Sequence, residues 1–209
     1  MSKHVAQDVV RRWEGNPTLT AEDIPFPCNT VFNAGAVRLG EEYLLLLRVE
    51  DLRGHSVLAL ARSDDGYHFT VHDEPVMTPC REGRFGIYES KGIEDPRITR
   101  IDDTYYIVYT AISDYGARLA LARTDDFGGF ERVGLISEPE NKDGALFPAR
   151  IGGRYARLDR PMVGSSGNMW ISYSEDLLNW GDSQVLMTVR PDAWDSWRIG
   201  ASAPPIETE

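Results

Sequence analysis

The chain repeats one sequence pattern three times, and an internal repeat restricts the possible folds more than any other feature of a sequence. In each copy a Ser or Thr is followed by acidic residues and, six positions on, by an aromatic residue. The copies span residues 61–69, 122–130 and 172–180, so they are spaced 61 and then 50 residues apart. Each follows a short run rich in strand-forming residues. The pattern therefore predicts a strand followed by an acidic turn.

A second repeated element, a β-hairpin pattern, precedes each copy. It spans residues 36–48, 97–110 and 149–160, and the three hairpins align on their tyrosines. Turns rich in Gly or Asp separate two runs of β-branched and aromatic residues in these segments. Each unit thus predicts four antiparallel strands. Repetition of such units at this interval is typical of the blades of a β-propeller.

We therefore predict an all-β fold, namely a single incomplete β-propeller domain over residues 1–209. The first blade is expected at about 28–80, the second at about 92–140, the third at about 142–190 and the start of a fourth at about 198–209. Three units and a beginning cannot close a ring of four or more blades. We therefore expect unpaired sheet edges. The propeller is then either truncated or completed by another chain, and that chain could be a second copy in a homo-oligomer.

A short N-terminal helix that caps the propeller is expected within residues 1–15. Residues from Val5 to Trp13 recur at helical offsets and are followed by Gly15-Asn16-Pro17, which would end a helix. The alternative for this segment is a frayed tail.

Composition excludes several classes of function. The chain has 22 Lys and Arg against 33 Asp and Glu, a net charge of −11, which argues against binding to nucleic acid. It lacks a signal-peptide pattern and a membrane-length apolar run, so we expect a cytoplasmic protein without a membrane partner. Cys28 and Cys80 fit no disulfide framework and are expected to be reduced thiols. The four histidines show no metal spacing, and we expect neither a metal nor a cofactor.

The candidate functional residues lie at the start of the first strand of each unit, because these strands line the channel of a propeller. Counting back six positions from Leu39, Ile101 and Ile151 gives Asn33, Asp95 and Ala145, with Lys142 and Asp143 just before the last. Five positions past the aligned tyrosines, the second strands carry Arg48, Thr110 and Arg160. An arginine in an apolar strand needs an anionic partner. We therefore expect these polar residues, together with Glu94, to converge on one place.

Each of these residues also has a purely structural interpretation. Asp95 precedes a proline and is a possible turn former, while the segment around Lys142 is a possible solvated loop. Arg48 has Glu50 and Asp51 as possible local partners. The occurrence of polar residues at equivalent positions of separate units favours a site. The acidic pairs at 64–65 and 125–126 are interpreted as structural turns.

Several short motifs occur along the chain in a fixed order. They are Asn16-Pro-Thr-Leu-Thr20, Asp23-Ile-Pro25, Val31-Phe-Asn-Ala-Gly-Ala36, Leu47-Arg-Val-Glu-Asp51, Gly92-Ile-Glu-Asp-Pro-Arg97, Asn141-Lys-Asp-Gly-Ala-Leu-Phe-Pro148, Arg157-Leu-Asp-Arg-Pro161, Trp197-Arg-Ile-Gly200 and Pro204-Pro-Ile206. This ordered set resembles the mannoside phosphorylases of glycoside hydrolase family 130. The resemblance implies a five-bladed propeller, of which the chain would carry the N-terminal three-fifths.

The resemblance also implies a reaction, in which inorganic phosphate attacks the anomeric carbon of a β-mannoside with inversion and gives α-mannose 1-phosphate. The Asp of the Glu-Asp-Pro-Arg motif, here Asp95, would be the general acid, and its proton would travel through a sugar hydroxyl. Such an acid needs a pKa raised by a desolvated channel and by neighbouring carboxylates such as Glu94. A phosphorylase needs no carboxylate to activate water, but it needs cations to bind phosphate.

The resemblance assigns a role to each candidate residue. The expected phosphate ligands are Arg48, Arg157 and Arg160. The expected substrate ligands are Asn33, Arg48, Asp51, Glu94, Lys142 and Asp143. The partners would be a β-mannoside oligosaccharide and phosphate as co-substrate, in an enzyme of the β-1,4-mannooligosaccharide or mannosyl-glucose phosphorylase class. The alternatives are a β-mannoside hydrolase of the same family and an inactive propeller fragment that only binds carbohydrate.

Overall fold

The computed structural model describes residues 11–164 and 166–208, and nearly all of its regular structure is β-strand. The first sheet contains β1 (Thr30–Leu39), β2 (Glu42–Glu50), β3 (Ser56–Ser63) and β4 (Thr70–Val71). The second contains β5 (Ile93–Ile101), β6 (Thr104–Ser113), β7 (Gly116–Thr124) and β8 (Glu131–Leu135). The third contains β9 (Asn141–Leu146), β10 (Tyr155–Val163), β12 (Met169–Ser174) and β13 (Trp180–Met187), with the two-residue β11 (Ser166–Gly167) paired to the end of β10.

The strands of each sheet follow one another in chain order and pair antiparallel. This confirms the predicted all-β fold and the three units of four strands. Tight turns join the first two strands of the first and second sheets, where Gly40 and Asp102 have positive φ values of 61° and 55°. Positive φ at this position is what a two-residue hairpin turn requires.

The second sheet is buried on both faces because it lies between the other two. On β6, Ile107 and Tyr109 pack into one core cluster with Leu44 and Leu58 of the first sheet. Val108, whose side chain points the other way, packs into a separate cluster with Leu146 of the third sheet. The first strands also contact one another, β1 against β5 and β5 against β9. This brings the starts of these three strands together.

The acidic turns are structural, as predicted. In the first sheet the Asp65 carboxylate accepts backbone N–H bonds from Tyr67 and His68, both at 2.8 Å. In the second sheet Asp126 accepts one from Gly128 at 2.8 Å. Carboxylates that bind their own backbone in this way stabilise turns.

Helical structure is limited to the 3-10 turn Ala21–Asp23 and the helix α1 (Gly83–Tyr88) in the described part of the chain. Neither is long enough to cross a membrane. The helix expected from Val5 to Trp13 falls mostly outside the described residues, and residues 11–13 are not helical. Residues 198–208, the expected start of a fourth unit, contain no strand; Ile199 donates a backbone hydrogen bond to Gly167 at 2.9 Å. The fourth blade stays a prediction.

Candidate functional site

The first strand of every sheet contains the same irregularity, a β-bulge. In the first sheet Phe32 lies opposite Arg48 but Gly35 lies opposite Leu46, so two residues of β1 face one residue of β2. The same shift occurs between Glu94 and Arg97 in β5 and between Lys142 and Ala145 in β9. The first residue of each bulge has left-handed backbone geometry; these residues are Asn33 (φ 47°), Asp95 (φ 52°) and Asp143 (φ 57°).

The bulges correct one step of the sequence alignment. Counting back along the third unit gave Ala145 as the equivalent of Asn33 and Asp95, whereas the equivalent residue is Asp143. The reason is that β9 ends at Leu146, before Pro148, and two extra residues separate it from the turn closed by Ile151 and Arg154. Proline has no backbone N–H to donate to a neighbouring strand, so the two extra residues are confined to the segment around Pro148. The predicted equivalence of Arg48 and Arg160 is confirmed by their pairing with Phe32 and Lys142.

Asp95 is a buried carboxylate, 9% exposed, held by two donors on the same oxygen. Arg48 Nη1 donates to Asp95 Oδ1 at 2.8 Å, and Asn33 Nδ2 donates to it at 2.9 Å. Burial raises the pKa of Asp95, but the hydrogen bond from Asn33 and the charge of Arg48 outweigh burial and hold the pKa below its usual value. This corrects the expectation that Asp95 is kept protonated, because its donors stabilise the ionised form.

Glu94 does not act on Asp95 as an unscreened negative charge. It accepts a hydrogen bond from Arg48 Nη2 at 2.7 Å and another from Lys142 Nζ at 2.9 Å. Arg48 also donates from Nε to Ser56 at 2.9 Å and lies over the Phe32 ring. The arginine therefore pairs with the Glu94–Asp95 dipeptide and not with its own loop. Lys142 and Asp143 lie in β9, so the solvated-loop interpretation is wrong.

Asp143 is also bound by arginine on both sides. Arg160 Nε donates to Asp143 Oδ2 at 2.6 Å, and Arg97 Nη2 donates to Oδ1 at 3.2 Å. Arg97 further donates to the carbonyl oxygens of Ala201 at 2.9 Å and Ser202 at 2.8 Å. Arg97 ends the motif Gly92-Ile-Glu-Asp-Pro-Arg97, but the sequence alone assigns it no role. Its position directly after a bulge is the signal that would have identified it.

These residues form one connected group around the bulges, which we call the bulge cluster. Its members are Asn33, Arg48, Glu94, Asp95, Arg97, Lys142, Asp143 and Arg160. Four of the members are cationic and three are carboxylates, so the cluster carries one excess positive charge. A cavity of about 320 Å³ lies beside it, lined by Asn33, Asp95, Arg97, Asp143 and the segment 201–204. The cluster combines hydrogen-bonding groups for hydroxyls with a positive charge for an anion.

Two predicted site residues lie outside the bulge cluster. The Asp51 carboxylate accepts backbone N–H bonds from Arg53 at 2.8 Å and His55 at 3.0 Å, which closes its own loop. Arg157 is buried and pairs with Asp159 at 2.6 Å. Because neighbouring residues of a strand alternate in direction, Arg157 and Arg160 point to opposite faces of β10. The structure thus places Arg157 apart from the other expected phosphate ligands, and its phosphate-binding role stays a prediction.

No group of three or more His, Cys, Asp or Glu in the described ranges is arranged to hold a metal ion.

Comparison with known proteins shows the family. The family model Glyco_hydro_130, described as β-1,4-mannooligosaccharide phosphorylase, matches residues 1–209. The β-1,2-mannobiose phosphorylase of Listeria innocua is 44% identical over 156 residues, which is 74% of this chain and 42% of that protein. The 1,2-β-oligomannan phosphorylase of a Thermoanaerobacter species is 36% identical over 189 residues, which is 86% of this chain and 61% of the relative. The chain thus spans between two-fifths and two-thirds of the length of these relatives.

Comparison with solved structures indicates the same family. The solved structure of the Listeria innocua β-1,2-mannobiose phosphorylase, in complex with β-1,2-mannobiose, matches with a TM-score of 0.85 and 34% identity. The match covers 95% of this chain and 72% of that chain. The motif order, the three sheets and the family model agree, and the chain belongs to glycoside hydrolase family 130.

Proposed function

We propose that the chain carries the acid and the anion-binding groups of an inverting β-mannoside phosphorylase. In this reaction a phosphate oxygen attacks the anomeric carbon, the bond from that carbon to the bridging oxygen breaks, and α-mannose 1-phosphate and a free acceptor sugar are formed. The relatives named above, which are phosphorylases of β-mannosides, support this reaction. The three sheets would be blades of the five-bladed propeller that the family resemblance implies, with the bulges at its axis.

The observation that carries the proposal is the excess positive charge of the bulge cluster. Phosphate is already an anionic nucleophile, so a site that uses it needs cations more than it needs a base. Lys142, with a third of its side chain exposed (33%), and Arg160 are the proposed phosphate ligands, together with Arg48. Asn33, Glu94 and Asp143 would hold mannosyl hydroxyls.

Asp95 requires a change of environment before it can act as an acid. The hydrogen bonds from Asn33 and Arg48 lower the pKa of Asp95 in the ligand-free chain. We propose that bound phosphate competes for the Arg48 guanidinium, which lets the pKa of Asp95 rise towards the value that burial favours. With its pKa raised, Asp95 takes up a proton from solvent, and this proton passes to the leaving oxygen, directly or through a sugar hydroxyl. The ionised Asp95 returns to its pair with Arg48.

The relatives also suggest a linkage. Those at 44% and 36% identity are named for β-1,2-linked substrates, whereas relatives at 29% and 27% identity are a β-1,4-mannooligosaccharide phosphorylase and a mannosyl-glucose phosphorylase. We therefore propose a β-1,2-mannoside as the substrate in place of the β-1,4 or mannosyl-glucose class expected from the sequence.

A second candidate function, hydrolysis, is favoured by one observation. Asp143 lines the same cavity as Asp95, and an inverting hydrolase uses a second carboxylate to activate water. Against this role, both oxygens of Asp143 already accept hydrogen bonds from arginines, Oδ2 from Arg160 and Oδ1 from Arg97.

An assay of sugar release from β-1,2-mannobiose, with and without inorganic phosphate, separates these functions. The proposal predicts cleavage only with phosphate and mannose 1-phosphate as product, with β-1,4-mannobiose cleaved more slowly. Release of free mannose at the same rate without phosphate would support hydrolysis. Binding of mannobiose without turnover in either condition would identify a carbohydrate-binding chain that lacks activity.

A further inference from the structure

A second cleft lies between the second and third sheets, on the face of β10 that points away from Arg160. We call it the intersheet cleft. It has a volume of about 560 Å³, within the range of about 300–1,000 Å³ that is usual for ligand pockets. Its lining includes Arg118, Asn141, Arg157, Asp159, Trp170 and Trp180. None of the residues that line the cavity beside the bulge cluster lines this cleft.

Three buried polar atoms in the cleft lining have no hydrogen-bond partner among the described residues. They are Arg157 Nε, Asp159 Oδ1 and Trp170 Nε1. The side chains of Arg157 and Asp159 are each only 4% exposed. Buried polar atoms are almost always paired, because an unpaired one has lost its hydrogen bonds to water without gaining others. Three in one place, all on residues lining one cleft, indicate a site prepared for a ligand.

The rest of each side chain is fixed in position by other contacts. Arg157 Nη2 donates to Asp159 Oδ2 at 2.6 Å, and Asn141 Nδ2 donates to the same oxygen at 3.1 Å. The Arg157 guanidinium lies over the Trp180 ring, 4.5 Å from its centroid. The unpaired atoms are therefore held in defined positions, and little ordering is needed when a ligand binds.

The charges of the cleft define the class of ligand. Two cations, Arg118 and Arg157, and two carboxylates, Glu138 and Asp159, line it, so its formal charge is zero. The carboxylates would repel an anion and the arginines would repel a cation, so the cleft favours a neutral ligand. The unpaired atoms are two donors and one acceptor, and a hydroxyl group both donates and accepts.

We propose that the intersheet cleft binds a neutral, hydroxyl-rich ligand of the size of a hexose unit. One hydroxyl donates to Asp159 Oδ1, and hydroxyl or ring oxygens accept from Arg157 Nε and Trp170 Nε1. Trp170 and Trp180 also line the cleft and offer apolar surface to the carbon skeleton of the sugar. This site is separate from the bulge cluster and does not depend on the proposed phosphorolysis.

Titration of the ¹⁵N-labelled chain with mannose tests the proposal. The indole N–H resonance of Trp170, assigned by its loss in Trp170→Phe, should shift and saturate with mannose, and inorganic phosphate should leave it unshifted. The shift should persist in Arg160→Ala, because Arg160 belongs to the bulge cluster and does not line the cleft. Followed at the Trp180 indole, Trp170→Phe should weaken mannose binding by about threefold to tenfold, the value of one hydrogen bond.

Trp194→Phe is the matched control, since Trp194 is 91% exposed and does not line the cleft. It should leave the mannose affinity unchanged. The proposal is overturned if mannose produces no saturable shift at Trp170, or if phosphate produces the same shift. It is also overturned if crystals soaked in mannose show only ordered water at the three unpaired atoms.

Discussion

Arg48 connects the chemistry of two neighbouring sheets through a single side chain. Its three nitrogens donate to Ser56, Asp95 and Glu94 at 2.9, 2.8 and 2.7 Å. A buried charge that loses its partner is strongly destabilising, whereas one that keeps a second partner is tolerated better. Because Arg48 has two carboxylates, substitution of one of them leaves it paired. This lets the role of Asp95 be tested separately from its contribution to stability.

Asp95→Asn is expected to lower the rate of phosphorolysis by about 10²- to 10⁴-fold, the usual contribution of a general acid. The amide can still accept from Asn33 and Arg48, so the melting temperature should fall only slightly. The rate is measured as release of mannose 1-phosphate. Asp103→Asn, at an exposed turn, is the control and should keep full activity. An unchanged rate in Asp95→Asn would remove this residue from the proposed mechanism.

Arg160→Ala is expected to raise the KM for phosphate by about 10- to 100-fold, because a charge-assisted hydrogen bond contributes about 1.5–3 kcal/mol. Asp143 keeps Arg97 as a partner in this variant, so the KM for the mannoside should change much less. Initial rates measured over a range of both substrates give the two constants. Arg123→Ala, which removes an exposed ion pair with Glu131, is the control. A rise in the mannoside KM alone would contradict the phosphate assignment.

The bulge in each first strand directs the side chains that form the candidate site. Without it, consecutive residues would alternate between faces, and Glu94 and Asp95 would point apart. The extra residue and its left-handed geometry let both carboxylates contact Arg48. Adjacent bulges also touch, since a Cβ placed on Gly35 would lie 2.7 Å from the backbone oxygen of Pro96.

Gly35→Ala therefore forces the first two bulges apart, and overpacking of this kind costs about 1–3 kcal/mol. We expect a lower midpoint of urea unfolding and a lower rate of phosphorolysis in the same variant. Gly129→Ala, where an added Cβ meets open space, should change neither property beyond the usual effect of a surface substitution. Equal losses in the two variants would mean that contact between the bulges is unimportant.

A buried ion pair anchors α1 to the second sheet. Glu89, at the C-terminal end of α1 and fully buried, accepts from Arg132 Nη2 at 2.8 Å and from the Tyr109 hydroxyl at 2.6 Å. Burial and the charge of Glu89 raise the pKa of Tyr109 well above its usual value. Tyr109 is the residue of β6 opposite the bulge at Asp95. The network therefore fixes the strand that pairs with this bulge.

Glu89→Gln is expected to cost about 3 kcal/mol of unfolding free energy, the lower end for a buried pair, because Arg132 remains partly exposed. Denaturant unfolding measures this loss. The control Glu42→Gln breaks a pair with Arg62 that is largely solvent-accessible and should cost at most about 1 kcal/mol. A loss in Glu89→Gln as small as in the control would show that the pair contributes little to holding α1.

At the scale of the whole molecule, the repeats are sufficient to predict the three sheets and the placement of several residues of the bulge cluster. Period and turn chemistry placed Asn33, Asp95, Arg48 and Arg160 at equivalent positions before any contact was known. The same count misaligns the third unit by two residues, because the break at Pro148 has no counterpart in the other two units. Strand alternation, had it been applied to β10, would have separated Arg157 from Arg160.

Other features depend on contacts that a sequence does not specify. The direction of the Asp95 pKa shift depends on Asn33 and Arg48 donating to the same oxygen, and burial alone predicts the opposite direction. The loop closed by Asp51 depends on backbone geometry after β2. The unpaired edges, the ring of blades and a homo-oligomer stay predictions.

A crystal structure of the chain with bound inorganic phosphate tests the central claim most directly. The claim is that three aligned bulges assemble one anion-binding, acid-bearing site. It predicts an ordered phosphate at the bulge cluster, with oxygens about 2.7–3.2 Å from Lys142 Nζ and the Arg160 guanidinium, and a lengthened contact between Arg48 and Asp95. Phosphate bound beside Arg157 in the intersheet cleft, with the bulge cluster unchanged, would contradict it.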